Sequence, residues 1–435
     1  MNKLTLLLKR ARGLGLRYYL WLILLFAGYR AVTLHARFFN GIIWSDAEGY
    51  YLYLPALFIH GGFEGLPVLT EAQFPMFPGT NKRLTRYTYG VALMQSPFFL
   101  AAHGLAKASG QDADGYSSLY RRAIQLAALL YGFLGLLLLK RALERHFRRG
   151  IVFLTVTGLY FGTNLFHYMV QEPGMSHIYS FFLFSLFLYF TPRFWSRPGA
   201  GIFTGMGMLL GLITLIRPTN LVVLLYLLLF DISSWQGLRE RLQFIGRHFW
   251  KLLLAPLASL LVFIPQFAYW KYLSGHLLLW SYGDEGFTNW DQPRIDMVLF
   301  HIKNGWLLFS PMAGLSVLGC LFGSWKNRYN IAVISLILLI SLYTFGSWWC
   351  WWFGGAFGHR SFVEFYTLLA FPYAWLVAWV WEQKKPVKIA FLLLWLTLIY
   401  YSYFLTVYYI SPHYDWPRWR QVTDWMLHFR LGKKL

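Results

Sequence analysis

Apolar runs of about 17 to 22 residues recur along nearly the whole chain, and no other feature narrows its fold so far. An α-helix needs about 20 predominantly apolar residues to cross the hydrocarbon of a bilayer. Inside that layer every peptide group must be hydrogen-bonded by the chain itself, so such runs can only be helices. Their continuous apolar character excludes the alternating pattern of a membrane barrel. The chain is 57% hydrophobic and only 13% charged, about half the charge that keeps a soluble domain in solution. The sequence therefore predicts an all-α polytopic membrane protein of about 11 to 12 transmembrane helices.

The candidate spans are 18–34, 119–140, 150–169, 175–191, 201–216, 219–231, 250–270, 306–323, 329–346, 362–381 and 387–409. A further run, 88–107, is ambiguous. Charge assigns sides. Lys and Arg outnumber Asp and Glu by 39 to 18, which in a soluble protein would suggest nucleic acid. Here the cations fall in short clusters between apolar runs, as the positive-inside rule expects, and no nucleic-acid partner is implied. Six clusters read as cytoplasmic: 1–17, 140–149, 193–197, 231–251, 326–328 and 382–388. Two spans separate each consecutive pair from 140–149 onward. Between 1–17 and 140–149 only 18–34 and 119–140 fit that parity, so 88–107 is expected to lie along the external face. Arg217-Pro218 interrupts two short runs, and a proline cannot continue the helical hydrogen-bond ladder, so the chain is expected to turn there.

This gives a cytoplasmic N-terminus (1–17), a first span (18–34) and a long external segment (35–118). A central bundle (119–270), an external loop (271–305) and C-terminal helices (306–409) with a further loop at 347–361 follow. The tail 410–435 falls outside, and its Trp416, Trp419 and Trp425 suit an interface. The N-terminal Lys3, Lys9, Arg10, Arg12 and Arg17 precede an apolar run without a small-residue cleavage site, which reads as an uncleaved span. Cys320 and Cys350 imply neither a disulfide framework nor a zinc site.

Chemistry is expected just beyond the first span, in Trp44-Ser45-Asp46-Ala47-Glu48-Gly49-Tyr50-Tyr51. A carboxylate at headgroup depth is placed to take a proton from a hydroxyl, with Asp46 preferred and Glu48 in support. Asp46 also suits the N-cap of a helix beginning at Ala47. Tyr50 is a substrate-binding candidate, although Tyr50, Tyr51 and Tyr53 equally suit interfacial anchors. Lys82, Arg83 and Arg86, near Tyr87, place three cations on the side where the rule disfavours them. A phosphate site or plain contact with anionic lipid would explain them. Glu172, His177, Arg217 and Asn220 cluster at span ends, and a lone arginine between apolar runs is costly unless it serves a purpose. Trp348 to Phe362 combines four tryptophans with glycines, His359 and Arg360; it reads as an aromatic belt or a sugar-stacking loop, with Glu364 just beyond. No Walker, GxGxxG, HExxH, CxxC or GxSxG motif occurs. Asp46 and Glu48 without a neighbouring histidine offer too few ligands to claim a divalent metal, and no cofactor is implied.

Ser45-Asp46-Ala47-Glu48-Gly49-Tyr50-Tyr51 resembles the acidic motif of GT-C membrane glycosyltransferases, especially bacterial relatives of the protein O-mannosyltransferases and of the aminoarabinose transferase. Tyr89-Gly90 with Ser96-Pro97-Phe98-Phe99, the Arg217-Pro218-Thr219-Asn220 break and Gly358-His359-Arg360-Ser361-Phe362 are similar to further patterns of that class. The sequence departs from it in having Asp-Ala-Glu rather than adjacent acids, and in lacking His-Pro-Pro-Leu. The resemblance implies a GT-C-like bundle with juxtamembrane helices in the first external loop, in a bacterial inner membrane. It implies inverting transfer of a sugar from a polyprenyl-phosphate donor to a hydroxyl of a lipid, glycan or protein on the periplasmic face. Asp46 would be the base, while Arg86, Arg217 and Arg360 would hold the phosphate. An O-antigen-type polymerase or ligase centred on 347–361, and a lipid-linked sugar transporter, are the alternatives. The topology is directly testable: a reporter fused after Leu435 is expected to signal an external terminus, whereas a cytoplasmic signal would restore 88–107 as a span.

Overall fold

A computed structural model describes residues 3–35, 42–324 and 328–409. The tail 410–435, with its three tryptophans, lies outside the described residues, as do most of the 326–328 cluster and residues 36–41. Among the described residues no strand forms, and the only sheet-like pairs are the isolated bridges Glu64–Lys82 and Met76–Arg83. The chain runs α1 (Lys3–His35), α2 (Ser45–Tyr51), α3 (Tyr53–Phe58), α4 (Gly90–Ser109) and α5 (Ser118–Leu143). It continues through α6 (Arg149–Gly162), α7 (Leu165–Val170), α8 (Ser176–Ser196), α9 (Ala200–Ile216), α10 (Leu224–Leu228), α11 (Trp235–Leu252) and α12 (Leu254–Ser274). The remainder is α13 (Ile295–Phe300), α14 (Trp306–Phe309), α15 (Met312–Gly323), α16 (Ile331–Ser347), α17 (Tyr366–Glu382) and α18 (Lys385–Tyr408).

The apolar runs are thus helices, but several are broken where they read as continuous. The run 150–169 breaks because Thr163 is extended and its hydroxyl accepts the Leu165 amide at 3.2 Å, replacing a turn of backbone bonding. Pro311 separates α14 from α15 inside 306–323. The run 219–231 becomes a 3-10 turn, Pro218–Val223, followed by the short α10. By length and composition two described helices cross a bilayer unaided, Ser118–Leu143 and Lys385–Val407. The pair α11 and α12, bent by 47°, makes a third if it is one span. The segment 88–107 is one helix, α4, which continues through Pro97.

The chain divides into two compact units. The first draws on Met1–Val32, Phe133–His167 and Phe287–Leu435. Its helices α6, α15, α17 and α18 are pinned by buried polar contacts as well as by apolar packing. Trp395 donates to the Leu154 carbonyl at 3.2 Å, and Ser402 to that of Gly162 at 2.8 Å.

The second unit comprises Thr33–Gly132 and Tyr168–Gly286. Its tightest helix pair is α9 against α12, and small residues make it possible. A Cβ on Gly207 would sit 2.6 Å from Ala255 Cα, and one on Gly211 2.9 Å from Ser259 Cα. Gly207-Met208-Leu209-Leu210-Gly211 is a GxxxG pattern, whose use in apolar helices is close backbone approach. Either Gly207→Val or Gly211→Val is expected to destabilise the protein by about 1–3 kcal/mol through overpacking. Thermal unfolding in detergent checks this, with Gly205→Val, where a Cβ meets nothing within 4 Å, as the control that should melt with the wild type.

Candidate functional site

The residues singled out in the sequence fall in both units, and those of the second converge. Its centre is built on α2. That helix begins at Ser45, whose φ of 53° is left-handed, with extended Trp44 at the N-cap. Asp46 therefore stands inside the first turn and is not the capping residue expected from the sequence. Gly49 is one turn further on, and here glycine is required by space: a Cβ would come 2.6 Å from Tyr87 Cε2 and 2.7 Å from Phe74 Cε1. The missing side chain lets Tyr87 lie directly against α2.

Tyr87 is held there by its own backbone. The segment 83–89 runs between α2 and α12, and both neighbours bond to it. Thr85 donates its hydroxyl to the Gly49 carbonyl at 2.8 Å, while its amide donates to the Tyr269 hydroxyl at 3.0 Å. Tyr53 donates to the Tyr87 carbonyl at 2.7 Å, and the Tyr89 amide donates to Gln266 at 3.0 Å. From the other side Ser281 donates to the Arg86 carbonyl at 2.7 Å. These bonds aim Arg86 and Tyr87 at Asp46.

The result is a cluster of opposite charges lined by phenols. The Tyr87 hydroxyl donates to the Asp46 carboxylate. The Arg86 guanidinium pairs with Glu285 at 2.5 Å and feels the charge of Asp46. Burial lowers the Arg86 value, but Tyr87, Glu285 and Asp46 together outweigh it and raise it above its ordinary value. Tyr50 packs on Tyr87 with ring centres 4.4 Å apart, and Tyr282 meets Tyr87 edge-on at 6.3 Å. Burial, then the nearness of Tyr50 and Asp46, pushes the Tyr282 phenol up, against the pull of Arg217 and Arg86. Tyr282 thus lies within electrostatic reach of Asp46, Tyr50, Arg86 and Arg217. Arg217 follows the last turn of α9 and lies 3.1 Å from Nδ1 of buried His177, whose ring packs on Tyr168 at 4.9 Å. Three residues on, Asn220 is fully buried, and neither atom of its amide has a hydrogen-bond partner. A buried polar group in that state costs about 1–3 kcal/mol.

Other candidates have different surroundings. Glu48 is fully buried and turned to the 69–70 turn, where the Leu69 amide donates to its Oε1. Burial pushes its carboxyl up, outweighing the Leu69 and Thr70 hydrogen bonds that pull it down. Lys82 lies 4.0 Å over the Tyr272 ring and donates to the Tyr272 carbonyl at 2.8 Å. Arg83 is buried, pairs with Glu71 at 2.7 Å and donates to the Leu66 and Phe74 carbonyls. Of the three cations near residue 85, only Arg86 reaches the cluster of Asp46. Glu172 is half-buried in the turn before α8, where its carbonyl accepts the Met175 amide at 3.1 Å.

His359 and Arg360 belong to the first unit. His359 is fully buried with Nε2 3.0 Å from the Trp351 carbonyl, so that nitrogen carries the proton. Arg360 opens the 3-10 turn Arg360–Phe362 and is half-buried. The loop is held by side chains that bond its carbonyls: Asn304 to Trp352 at 2.8 Å, Asn289 to Trp348 at 3.0 Å and Asn164 to Phe357 at 3.2 Å.

Among the described residues no three His, Cys, Asp or Glu side chains gather in a way that could hold a metal. Glu285 already faces Arg86, so the donors around Asp46 do not fit a divalent ion, and no step below runs through one. Tyr282 and Glu285 were missed as site residues in the sequence. The available signal was the polar, glycine-flanked Tyr282-Gly283-Asp284-Glu285-Gly286 within an otherwise aromatic loop.

No protein family matches the sequence, and no curated protein does. Solved structures do match. The apo oligosaccharyltransferase of Archaeoglobus fulgidus aligns with a TM-score of 0.50 over 96% of this chain at 12% identity. The same archaeal protein in complex with Zn and sulfate aligns with a TM-score of 0.46 over 94% of the chain at 13% identity. The chain has the fold of a membrane oligosaccharyltransferase. It spans 58% of the length of the apo structure's chain, and at this identity the likeness is one of fold alone.

The contrast between the two acids of α2 gives a prediction. A carboxyl whose value is raised on folding contributes stability below the ordinary value of 4.5, and that contribution is lost as pH rises through the raised value. Glu48→Gln keeps an acceptor for Leu69 and removes the titration. Its melting temperature is therefore expected to fall less than that of the wild type between about pH 4.5 and pH 8. Identical pH dependence of the two melting curves would contradict the assignment of a raised, structural Glu48.

Proposed function

We propose that this chain is a membrane glycosyltransferase of GT-C type that moves a sugar from a polyprenyl-phosphate donor to an acceptor hydroxyl, with Asp46 as the general base. The observation that carries the reading is the convergence of one carboxylate, Asp46, with two guanidinium groups, Arg86 and Arg217, around Tyr282. That is the minimum set for displacing a phosphate from a sugar. Asp46 takes the proton of the acceptor hydroxyl as its oxygen forms the bond to the anomeric carbon. The bond from that carbon to the phosphate oxygen breaks on the opposite side, and configuration inverts. Charge grows on the departing phosphate, where Arg86 and Arg217 stabilise it. Tyr50, Tyr87 and Tyr282 offer aromatic faces to the sugar ring, and Asn220 supplies an amide donor and acceptor beside Arg217.

His177 orients Arg217 in this scheme, and Glu48 acts through the backbone by fixing the 69–70 turn against α2. The reading assigns the chemistry to the second unit. The enclosed position of His359 and its bond to the Trp351 carbonyl suit a loop-shaping residue better than the reactive centre of a polymerase or ligase.

The test is transfer of a hexose from a polyprenyl-phosphate donor to an acceptor in proteoliposomes. Asp46→Asn is expected to lower kcat by about 10²–10⁴, the usual contribution of a general base. Arg86→Gln and Arg217→Gln are expected to lower kcat/KM with the long-chain phosphate donor by at least about tenfold, corresponding to one charge-assisted hydrogen bond. Wild-type activity in a folded Asp46→Asn protein would remove Asp46 from the chemistry.

A further inference from the structure

The helix α11 carries a surface that the transfer reaction does not use. None of its residues is buried, although it contains two tryptophans, two phenylalanines and four aliphatic side chains. Trp235 is 87% exposed, Trp250 81%, Leu242 60% and Phe249 48%. Trp235, Leu242 and Phe249 are seven apart, so after two turns each returns to nearly the same side. Leu238 and Ile245 flank them on that side. About 100° around the helix runs a second exposed strip of Gln236, Glu240, Gln243, Arg247 and Lys251. The third side packs on the protein. Phe244 meets Trp195 with ring centres 5.0 Å apart, and Arg241 lies 3.4 Å over the Trp195 ring and donates to the Phe230 carbonyl at 2.6 Å.

A helix with one side on its own protein, one exposed apolar side and one exposed polar side fits a boundary between oil and water. Two further observations identify that boundary. The apolar side leads, through a bend of 47°, into α12, where Leu257, Leu260, Leu261 and Ile264 are also exposed. These belong to an apolar helix of 21 residues joined to α11 at that bend, so the exposed apolar surface is continuous from one helix to the next. The exposed charges are Arg239, Arg247 and Lys251 against Glu240 alone, a balance complementary to anionic headgroups. Ser234 starts the helix firmly by accepting the Gly237 amide at 3.1 Å.

We infer that α11 is an in-plane membrane anchor, with Trp235, Leu242 and Phe249 sunk below the headgroups of an anionic leaflet and Arg239, Arg247 and Lys251 against their phosphates. The sequence marks 231–251 only as a charged cytoplasmic connection. The anchor reaches α10 through Trp195, whose indole donates to the Leu227 carbonyl at 3.0 Å, and it is independent of what reaction the protein performs.

The two native cysteines are both buried, so a nitroxide can be placed on an introduced thiol. The full chain is reconstituted in nanodiscs of phosphatidylcholine alone or with added phosphatidylglycerol. Leu242→Cys and Gln243→Cys are then compared by collision with oxygen, which partitions into lipid, and with a water-soluble nickel chelate. The expected result is a several-fold higher oxygen-to-nickel ratio at 242 than at 243, increasing at 242 when phosphatidylglycerol is added. Phe249→Cys should repeat the pattern of 242, which guards against a local defect in one variant. Equal nickel access at 242 and 243 would overturn the proposal in favour of a solvated helix. Exclusion of both reagents at 242 would overturn it in favour of a protein partner or a second copy. A ratio at 242 indifferent to phosphatidylglycerol would overturn the preference for anionic lipid.

Discussion

Thr85 joins three separately encoded pieces of the second unit. Its hydroxyl reaches the Gly49 carbonyl in α2, its amide reaches Tyr269 in α12, and its own chain carries Arg86 and Tyr87. Thr85 is itself almost wholly buried, so these bonds form where an unmade one would cost about 1–3 kcal/mol. Everything else at the site hangs on this tie. It places Tyr87 against the bare face of Gly49, and Tyr87 in turn donates to Asp46. It also fixes the Arg86 carbonyl that Ser281 grips, which brings in the loop bearing Tyr282 and Glu285. The site is local geometry imposed by distant helices.

That dependence explains what could be read from the sequence. The helical character of the apolar runs was legible from composition, and the Arg217-Pro218 break from a local contradiction. Polar or helix-breaking residues stand where apolar helix is expected, and the energetic penalty is visible in one dimension. Glu48 was read as supporting Asp46 because both sit in the first turns of one short helix. Two residues apart, however, they project from different sides of it, and only packing shows that one faces Arg86 while the other faces Leu69. Lys82, Arg83 and Arg86 were similarly indistinguishable until the fold separated two structural cations from the one that meets Asp46. Tyr282 and Glu285 lie nearly two hundred residues from Arg86 in the chain, and no pattern in either segment announces the other. The breaks at Thr163 and Pro311 were hidden by the uniformly apolar residues around them. The Gly207–Gly211 close-packing spacing was missed in the sequence although it is local.

The two kinds of polar burial in the unit serve different ends. Arg83 is enclosed with every nearby acceptor engaged, including Leu66, Phe74 and Glu71. A cation so fully partnered organises the 59–85 segment and has nothing left to offer a ligand. Asn220 is the opposite case, buried with both amide atoms unpartnered. Its amide stands three residues from Arg217, in the 3-10 turn that follows it.

The pairing of Arg86 with Glu285 then has a mechanistic consequence under the proposed reaction. Both side chains are about one-third exposed, and an ion pair so close to solvent contributes only about 0–1 kcal/mol to the fold. A donor phosphodiester carries the same single charge as a carboxylate, accepts the planar guanidinium in the same forked geometry, and gains charge as it leaves the sugar. Exchange of Glu285 for the phosphate therefore costs little, and the partner that leaves is on the same loop as Tyr282. Binding the donor through Arg86 would release Glu285 while Ser281 still holds the Arg86 carbonyl, so the loop keeps its root as its tip is freed. In the absence of donor Glu285 neutralises a guanidinium that would otherwise sit beside Asp46 alone. Without that third charge, Asp46 and Arg86 would form the stable pair, and a carboxylate committed to a guanidinium is a poor base. Under the proposed reaction, Glu285 would thus keep Asp46 available for the proton of the acceptor.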